Sequence, residues 1–227
     1  MHKAHERVVG LYLVNRQRIY RLDAVHLKPK QKLKAPAIAL PDNCCYWFFF
    51  DLDQTLMCQD TLESKRKLNY IQKEHLSDSG ITNSKEIKLL ALYANELSPI
   101  LQNLTKNPLT SLNIITKGSY DSIFTISPFI ELSFLGGDNF NGRLINRSDF
   151  KETKGDHIKR LLTEELKRCP PHHVILIDNS LIQRESAKWH GFKIIDPTTN
   201  TYIENLNKLI KTIADPSDTS GKSKTKR

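Results

Sequence analysis

Cys45-Tyr-Trp-Phe-Phe-Phe-Asp51-Leu-Asp53-Gln-Thr55-Leu56 is the stretch whose reading decides the fold. Six bulky apolar or aromatic residues run into two carboxylates one residue apart, with a threonine two residues further on. A continuous apolar run this short predicts a strand buried on both faces, as in a parallel sheet. The carboxylates then fall at the strand's carboxyl end, where open α/β sheets bind their ligands. Burying them there is costly unless a cation pairs with them or they do chemistry. Asp51 and Asp53 occupy alternate positions and would point the same way if the strand continued. A polar turn after a core strand is the bland reading of a bare Asp-x-Asp. Apolar strand, Asp-x-Asp-x-Thr and the following leucine together favour a site.

The rest of the chain supplies matching pieces. At 227 residues it can bury one α/β domain. Residues 109–116 read as a second core strand ending in Thr116, followed by Lys117-Gly118. Lys154-Gly155 leads into an amphipathic helix with Asp156 in its first turn. Residues 174–177 form another apolar strand, closed by Asp178-Asn179. Residues 180–190 suit a helix stopped by Gly191, residues 192–195 a last strand and residues 202–213 a last helix. Between these, residues 57–83 look polar and irregular, and Ser84 is placed to cap a helix with Ile87, Leu90, Ala91, Ala94, Leu97 and Leu101 as its apolar stripe. A short helix is expected near 121–124, a strand over 126–135, and a small hairpin around Gly136-Gly137 and Asn141-Gly142. Near the start, β-prone runs flank Asn15-Arg-Gln, which fits a hairpin or a helix. Strands alternating with helices give a doubly wound parallel sheet. No glycine-rich phosphate loop follows any strand, so a nucleotide site has little support.

Charge and cysteines narrow the function classes. The formal net charge of +9 sits at the ends: residues 1–34 carry nine Lys or Arg against Glu6 and Asp23, and residues 215–227 carry four against two acids. Residues 35–214 are therefore neutral, which argues against a phosphate-tracking face on the body of the protein. The arm Lys28-Pro-Lys-Gln-Lys-Leu-Lys34 reads as a solvated linker, or as a contact for an acidic partner, RNA or a membrane surface. No segment reaches the roughly 18 apolar residues of a membrane span, and no signal peptide is evident, so a soluble cytoplasmic protein is expected. Among the four cysteines, Cys44 and Cys45 are read as core filler. Cys58 is expected to be partly exposed, and Cys169 makes no zinc spacing with the others.

Asp51-Leu-Asp53-Gln-Thr55, Thr116, Lys154 and Asp178, in that order at successive strand ends and a helix start, resemble the haloacid dehalogenase superfamily, and within it the phosphatases. The resemblance covers residues 45–200 and implies a Rossmann-like α/β fold. It implies Asp51 as nucleophile, forming an aspartyl-phosphate, and Asp53 as general acid and base. Thr116 would hold a phosphoryl oxygen with help from N–H groups near Lys117-Gly118. Lys154 would supply positive charge, with Lys151 as its rival. Asp51, the Asp53 carbonyl and Asp178 would hold Mg²⁺. Thr55 would steady the loop after Asp53. Where many relatives carry a further carboxylate after the fourth motif, this chain has Asn179, with Ile182 and Gln183 beyond it and Glu185 a poor substitute.

Sixty residues separate Thr55 from Thr116 and thirty-seven separate Thr116 from Lys154, too few for a large cap. An open site suits a phosphate carried on a macromolecule, so the expected partner is a phosphorylated protein, phosphotyrosine included, as among exported effectors of intracellular bacteria. The alternatives are a nucleic-acid phosphatase, a small-metabolite phosphatase if residues 57–83 fold over the site, and a non-catalytic binding module. The expected layout is a basic extension over 1–44, a catalytic domain over 45–213 and a disordered basic tail over 214–227.

Overall fold

The structure is a computed structural model and describes residues 12–15, 18–21, 46–164 and 169–214. The expectations for Cys44, Cys45, the 28–34 arm and the tail beyond 214 lie outside these residues. The chain forms two units, residues 1–39 and 40–227. In the first, β1 (Tyr12–Asn15) and β2 (Arg18–Arg21) pair antiparallel, Tyr12 with Arg21 and Asn15 with Arg18, so the hairpin reading holds over the helical one.

The second unit begins with β3 (Tyr46–Phe50). An insertion follows: β4 (Met57–Gln59), the short helices α1 (Leu62–Arg66) and α2 (Tyr70–Glu74), β5 (Leu76–Thr82) and β6 (Lys88–Leu92). Then come α3 (Ala94–Lys106), β7 (Thr110–Ile115), a π-helical turn over Ser122–Ile126, α4 (Ser127–Ser133), β8 (Leu144–Ile145) and α5 (Lys154–Glu164). The described residues close with β9 (Val174–Ile177), α6 (Leu181–Trp189), β10 (Lys193–Ile195) and α7 (Tyr202–Ala214). Five strands form an all-parallel sheet in the order β10-β9-β3-β7-β8. The chain runs outward from β3 to β7 and β8, then returns to β9 and β10 on the other side. The strand order thus reverses at β3, and the carboxyl end of β3 opens on the crevice where such sheets bind ligands.

Alternation along β3 builds two cores. Phe48 and Phe50 face a layer made by α3, α4 and α7, with Leu97, Leu101, Phe129 and Leu206 among its buried members. Trp47 and Phe49 face the other layer, where α5 contributes Ile158 and Leu161 and α6 contributes Ala187. The three phenylalanines are fully buried, each contributing roughly 1.5–3 kcal/mol relative to exposure. Covered on both faces, this strand cannot shift register by one residue without exchanging its two cores, so the position of Asp51 is fixed by packing.

Several local expectations are corrected. Residues 57–83 are not irregular: β4, β6 and β5 form a three-stranded antiparallel sheet in that order, with α1 and α2 beside it. Ile87, Leu90 and Ala91 belong to that sheet or its edge rather than to a helix capped at Ser84. The helix starts at Ala94, after Tyr93 turns the corner at φ 56°. Residues 126–135 are not a strand. The Asp121 side chain accepts the Phe124 N–H at 2.7 Å, a π-helical turn follows, and Pro128 near the helix start favours α4. The glycines at 136–142 do not close a hairpin, because β8 pairs parallel with β7. Cys58 is buried, not partly exposed. Among the described residues no helix is long and apolar enough to cross a membrane.

Candidate active site

Each residue singled out at a strand end is anchored by a last sheet hydrogen bond. The Asp51 N–H donates to the Ile177 carbonyl at 2.8 Å, the Thr116 N–H to Ile145 at 2.9 Å, and the Asp178 N–H to Ile195 at 3.3 Å. Three segments distant in sequence thereby deliver their side chains to one edge of the sheet. Lys154 comes from the first turn of α5, its N–H held by the Gln183 side chain of α6 at 2.8 Å. Gly155 makes this approach possible: a Cβ there would lie 2.6 Å from the Ala187 backbone nitrogen.

The side chains meet. Lys154 Nζ donates to Asp51 Oδ1 and, at 2.7 Å, to Asp178 Oδ2. All three are buried, Asp178 completely. Asp178 Oδ1 accepts the Ser180 N–H at 2.7 Å. Lys151 is exposed, so Lys154 and not its rival fills the cationic position. Thr116 is fully buried, and its Oγ1 accepts the Gly118 N–H at 2.9 Å. That N–H, expected to face a phosphoryl oxygen, is therefore engaged with Thr116. Thr55, expected to steady the loop, donates to Asp51 Oδ2 at 3.3 Å and so touches the carboxylate itself. Asp53 is half-buried and accepts the Tyr120 hydroxyl at 2.5 Å on Oδ1.

Burial dominates the electrostatics. It pushes Asp51 up to about 7, against the opposing pull of Lys154 and with help from Asp178. Burial also raises Asp53, with the Tyr120 hydrogen bond working the other way. For Lys154 burial alone would favour the neutral amine, but the two carboxylates reverse this and hold it above its ordinary value. Once Asp51 is ionised, two carboxylates and one ammonium leave one net negative charge in a dry pocket, a setting suited to a cation.

The structure brings the Asp51 and Asp178 carboxylates together as oxygen donors, and the sequence expectation adds the Asp53 main-chain carbonyl. Among the described residues no three His, Cys, Asp or Glu side chains converge in a metal cluster. Such a sparse, hard-oxygen set fits Mg²⁺, which keeps several waters, and does not fit zinc. Asn179 donates to the Gln54 side chain at 3.0 Å, tying the two acidic loops together where a further carboxylate was looked for. Ile182 and Glu185 are exposed.

The sequence reading missed four residues. Tyr120 reaches Asp53, and Gln59 of β4 donates to the Tyr120 hydroxyl at 3.0 Å. Gln183 holds Lys154, and buried Arg184 donates to the Asp178 carbonyl at 2.6 Å while pairing with Asp196 at 2.6 Å. The only signal for Tyr120 was its place two residues after the glycine that follows a core strand. The Cys58 thiol is pushed up to about 11 by burial, which makes it a poor nucleophile. Above these groups lies an open cleft of about 700 Å³, walled on one side by Gln59, Thr61 and Lys67 of the insertion and on the other by Ser180 and Gln183.

No family model matches this sequence, and no curated protein matches it. Among solved structures, similar folds include a predicted HAD-like family hydrolase from Porphyromonas gingivalis, 15% identical over 74% of this chain and 98% of that one, at a TM-score of 0.42. A HAD family enzyme from Bacteroides thetaiotaomicron, solved with magnesium and inorganic phosphate, is 14% identical over 67% and 93% of the two chains at 0.40. The N-terminal part of a Bacteroides fragilis protein containing a phosphatase domain, complexed with Mg, is 15% identical over 74% and 40% at 0.45.

Proposed function

We propose that this chain is a Mg²⁺-dependent phosphomonoester hydrolase of the haloacid dehalogenase type. The observation that carries the reading is the buried contact of Lys154 with both Asp51 and Asp178, next to Asp53, at the carboxyl edge of the parallel sheet. In the first half-reaction an Asp51 oxygen attacks phosphorus and the bond to the leaving oxygen breaks. Asp53 donates its proton to that oxygen, and the alcohol or phenol departs. In the second, water attacks the phosphorus of the aspartyl-phosphate, Asp53 takes the water's proton, and the bond to Asp51 breaks. Phosphate leaves and both carboxylates return to their starting forms. Lys154 holds the nucleophile in place and offsets charge as the phosphate approaches. Thr116 positions a phosphoryl oxygen. Asp51, Asp178 and the Asp53 carbonyl would hold Mg²⁺, whose chemistry is to neutralise the phosphoryl oxygens.

The substrate proposed is a phosphorylated protein, phosphotyrosine included. The cleft is open, and exposed Leu62, Leu181 and Ile182 adjoin its two walls, a surface suited to polypeptide. A small metabolite is the second reading, favoured because the 57–92 insertion does fold and lines the cleft with polar groups. The test is turnover of 4-nitrophenyl phosphate, then of phosphopeptides, sugar phosphates and nucleotides. Activity that requires Mg²⁺, is lost with chelator and is abolished in Asp51→Asn is expected, with phosphopeptides preferred. Turnover that survives Asp51→Asn would sink the mechanism, and preference for sugar phosphates would move the substrate to the second reading.

A further inference from the structure

The hydrogen bonds around Asp53 have a direction. A phenol has one hydrogen to give and can accept two. The Gln59 amide donates to the Tyr120 hydroxyl at 3.0 Å, so the Tyr120 hydrogen is directed to Asp53 Oδ1 at 2.5 Å. Gly118 makes the contact geometrically possible. A Cβ at 118 would lie 2.2 Å from the Tyr120 ring and 2.9 Å from Asp53 Oδ2, so the missing side chain admits the ring and leaves Oδ2 uncrowded.

We infer that Tyr120 is a positioning residue: held as a donor by Gln59, it clamps Oδ1 of Asp53 and designates Oδ2 as the oxygen that exchanges protons with the leaving group and with water. The inference rests on the hydrolase reading given above. It also joins the insertion to the chemistry, since Gln59 lies on β4 and reaches Asp53 only through Tyr120. Without the clamp the carboxyl can rotate, and proton delivery loses its alignment while substrate binding does not.

Tyr120→Phe keeps the ring and removes only the hydroxyl. The experiment compares kcat and KM of wild type, Tyr120→Phe and Asp51→Asn over phosphate esters of increasingly basic leaving groups: 4-nitrophenyl, phenyl and alkyl. General acid catalysis is worth about 10²–10⁴-fold and matters most for basic leaving groups. Tyr120→Phe is therefore expected to lose less than about tenfold in kcat/KM on 4-nitrophenyl phosphate and about a hundredfold on phenyl phosphate; kcat/KM reports transfer to Asp51 alone, whereas the water step is common to every ester. Gln59→Leu should show the same trend at smaller amplitude, and it carries the test if Tyr120→Phe fails to fold. A loss of kcat/KM that is uniform across the series, or no loss, overturns the inference while a dead Asp51→Asn leaves the hydrolase reading standing. No wild-type turnover, or full turnover in Asp51→Asn, overturns both.

Discussion

The floor of the cleft and its wall are built on opposite principles. The floor is the carboxyl edge of a parallel sheet whose central strand is covered on both faces, and its charged groups, Asp51, Lys154 and Asp178, are all buried. The wall is an antiparallel three-stranded sheet whose outer strand meets water: along β5 no residue is fully buried and exposed positions recur, while β6 at its centre is buried from Leu89 to Leu92. In the floor, electrostatics runs at low dielectric and each charge depends on the others. In the wall, polar groups are hydrated and individually replaceable. Changes in the floor should therefore be large and non-additive, and changes in the wall small and local.

The largest effect is expected at Asp51, the proposed nucleophile. Asp51→Asn should reduce turnover by roughly 10³-fold or more. In metal-free protein the same change should stabilise the fold, in a pH-dependent way. Asp51 ordinarily titrates near 3.8 and is pushed to about 7 in the folded chain. An acid raised by folding binds its proton more tightly folded than unfolded, so stability falls as pH rises from about 4 through about 7. Below about pH 4 Asp51 is neutral in the folded and unfolded chains alike and resembles asparagine, so the melting temperatures should nearly coincide there. At pH 8 the variant should melt higher, and Mg²⁺ should narrow the gap by stabilising wild type alone. Equal melting temperatures at both pH values would show that the floor is not the dry site described.

Lys154→Met breaks the floor from the other side. It leaves two buried carboxylates without their shared cation, a loss of about 3–5 kcal/mol for a buried pair. Combined with Asp51→Asn, the cost should shrink, because one of the stranded charges is gone. Thermal or chemical denaturation of the single and double variants measures this. Additive effects would refute the coupling among the three groups.

The same contrast explains what the sequence disclosed. The floor was legible because long-range physics wrote it locally: Trp47 to Phe50 are apolar at every position, so a strand buried on both faces is the only economical reading, and a carboxylate closing it stands out. The contact of Asp51, Lys154 and Asp178 was implied by the resemblance of their motifs to the haloacid dehalogenase superfamily. The wall was not legible, because its outer strand β5 is half-exposed and the apolar run of its central strand, Leu89 to Leu92, leads straight into a helix and shares that helix's spacing. Ile87, Leu90, Ala91 and Ala94 sit at spacings that suit a helix, and the break between strand and helix is made by Tyr93 at φ 56°, a conformation that no residue type there announces. Tyr120 was missed for a related reason. Its role depends on folding back over Gly118 to a carboxylate 67 positions earlier, and only a structure reveals that approach.

The joint between wall and floor should give intermediate effects. Gln72, buried in α2, donates to the Gln54 carbonyl at 2.7 Å, and its Oε1 accepts the Asn69 N–H in a capping box. Gln72→Ala removes the reciprocal half of the capping box, leaving the Asn69 cap in place, and leaves the Gln54 carbonyl short of a donor, about 1–3 kcal/mol. Denaturant melts should show that loss, with Mg²⁺-dependent kcat retained. A collapse of kcat would mean that the wall holds the floor more tightly than its hydration suggests.

The smallest effect, and the sharpest on the metal, is expected at Asn179. Its amide donates to Gln54 Oε1 at the lip of the floor, next to completely buried Asp178. Asn179→Asp adds a carboxylate where the donor set has only two, and rotation of the Gln54 amide can restore the hydrogen bond from its nitrogen. Stability should change by less than about 0.5 kcal/mol, as for a partly exposed polar exchange. The Mg²⁺ concentration for half-maximal stabilisation or activity should fall by several-fold, because an added negative oxygen strengthens a hard-cation site and its pull weakens only slowly with distance. If the midpoint does not move, residue 179 lies beyond the reach of the ion, and its amide serves the joint between the two acidic loops rather than the charge of the floor.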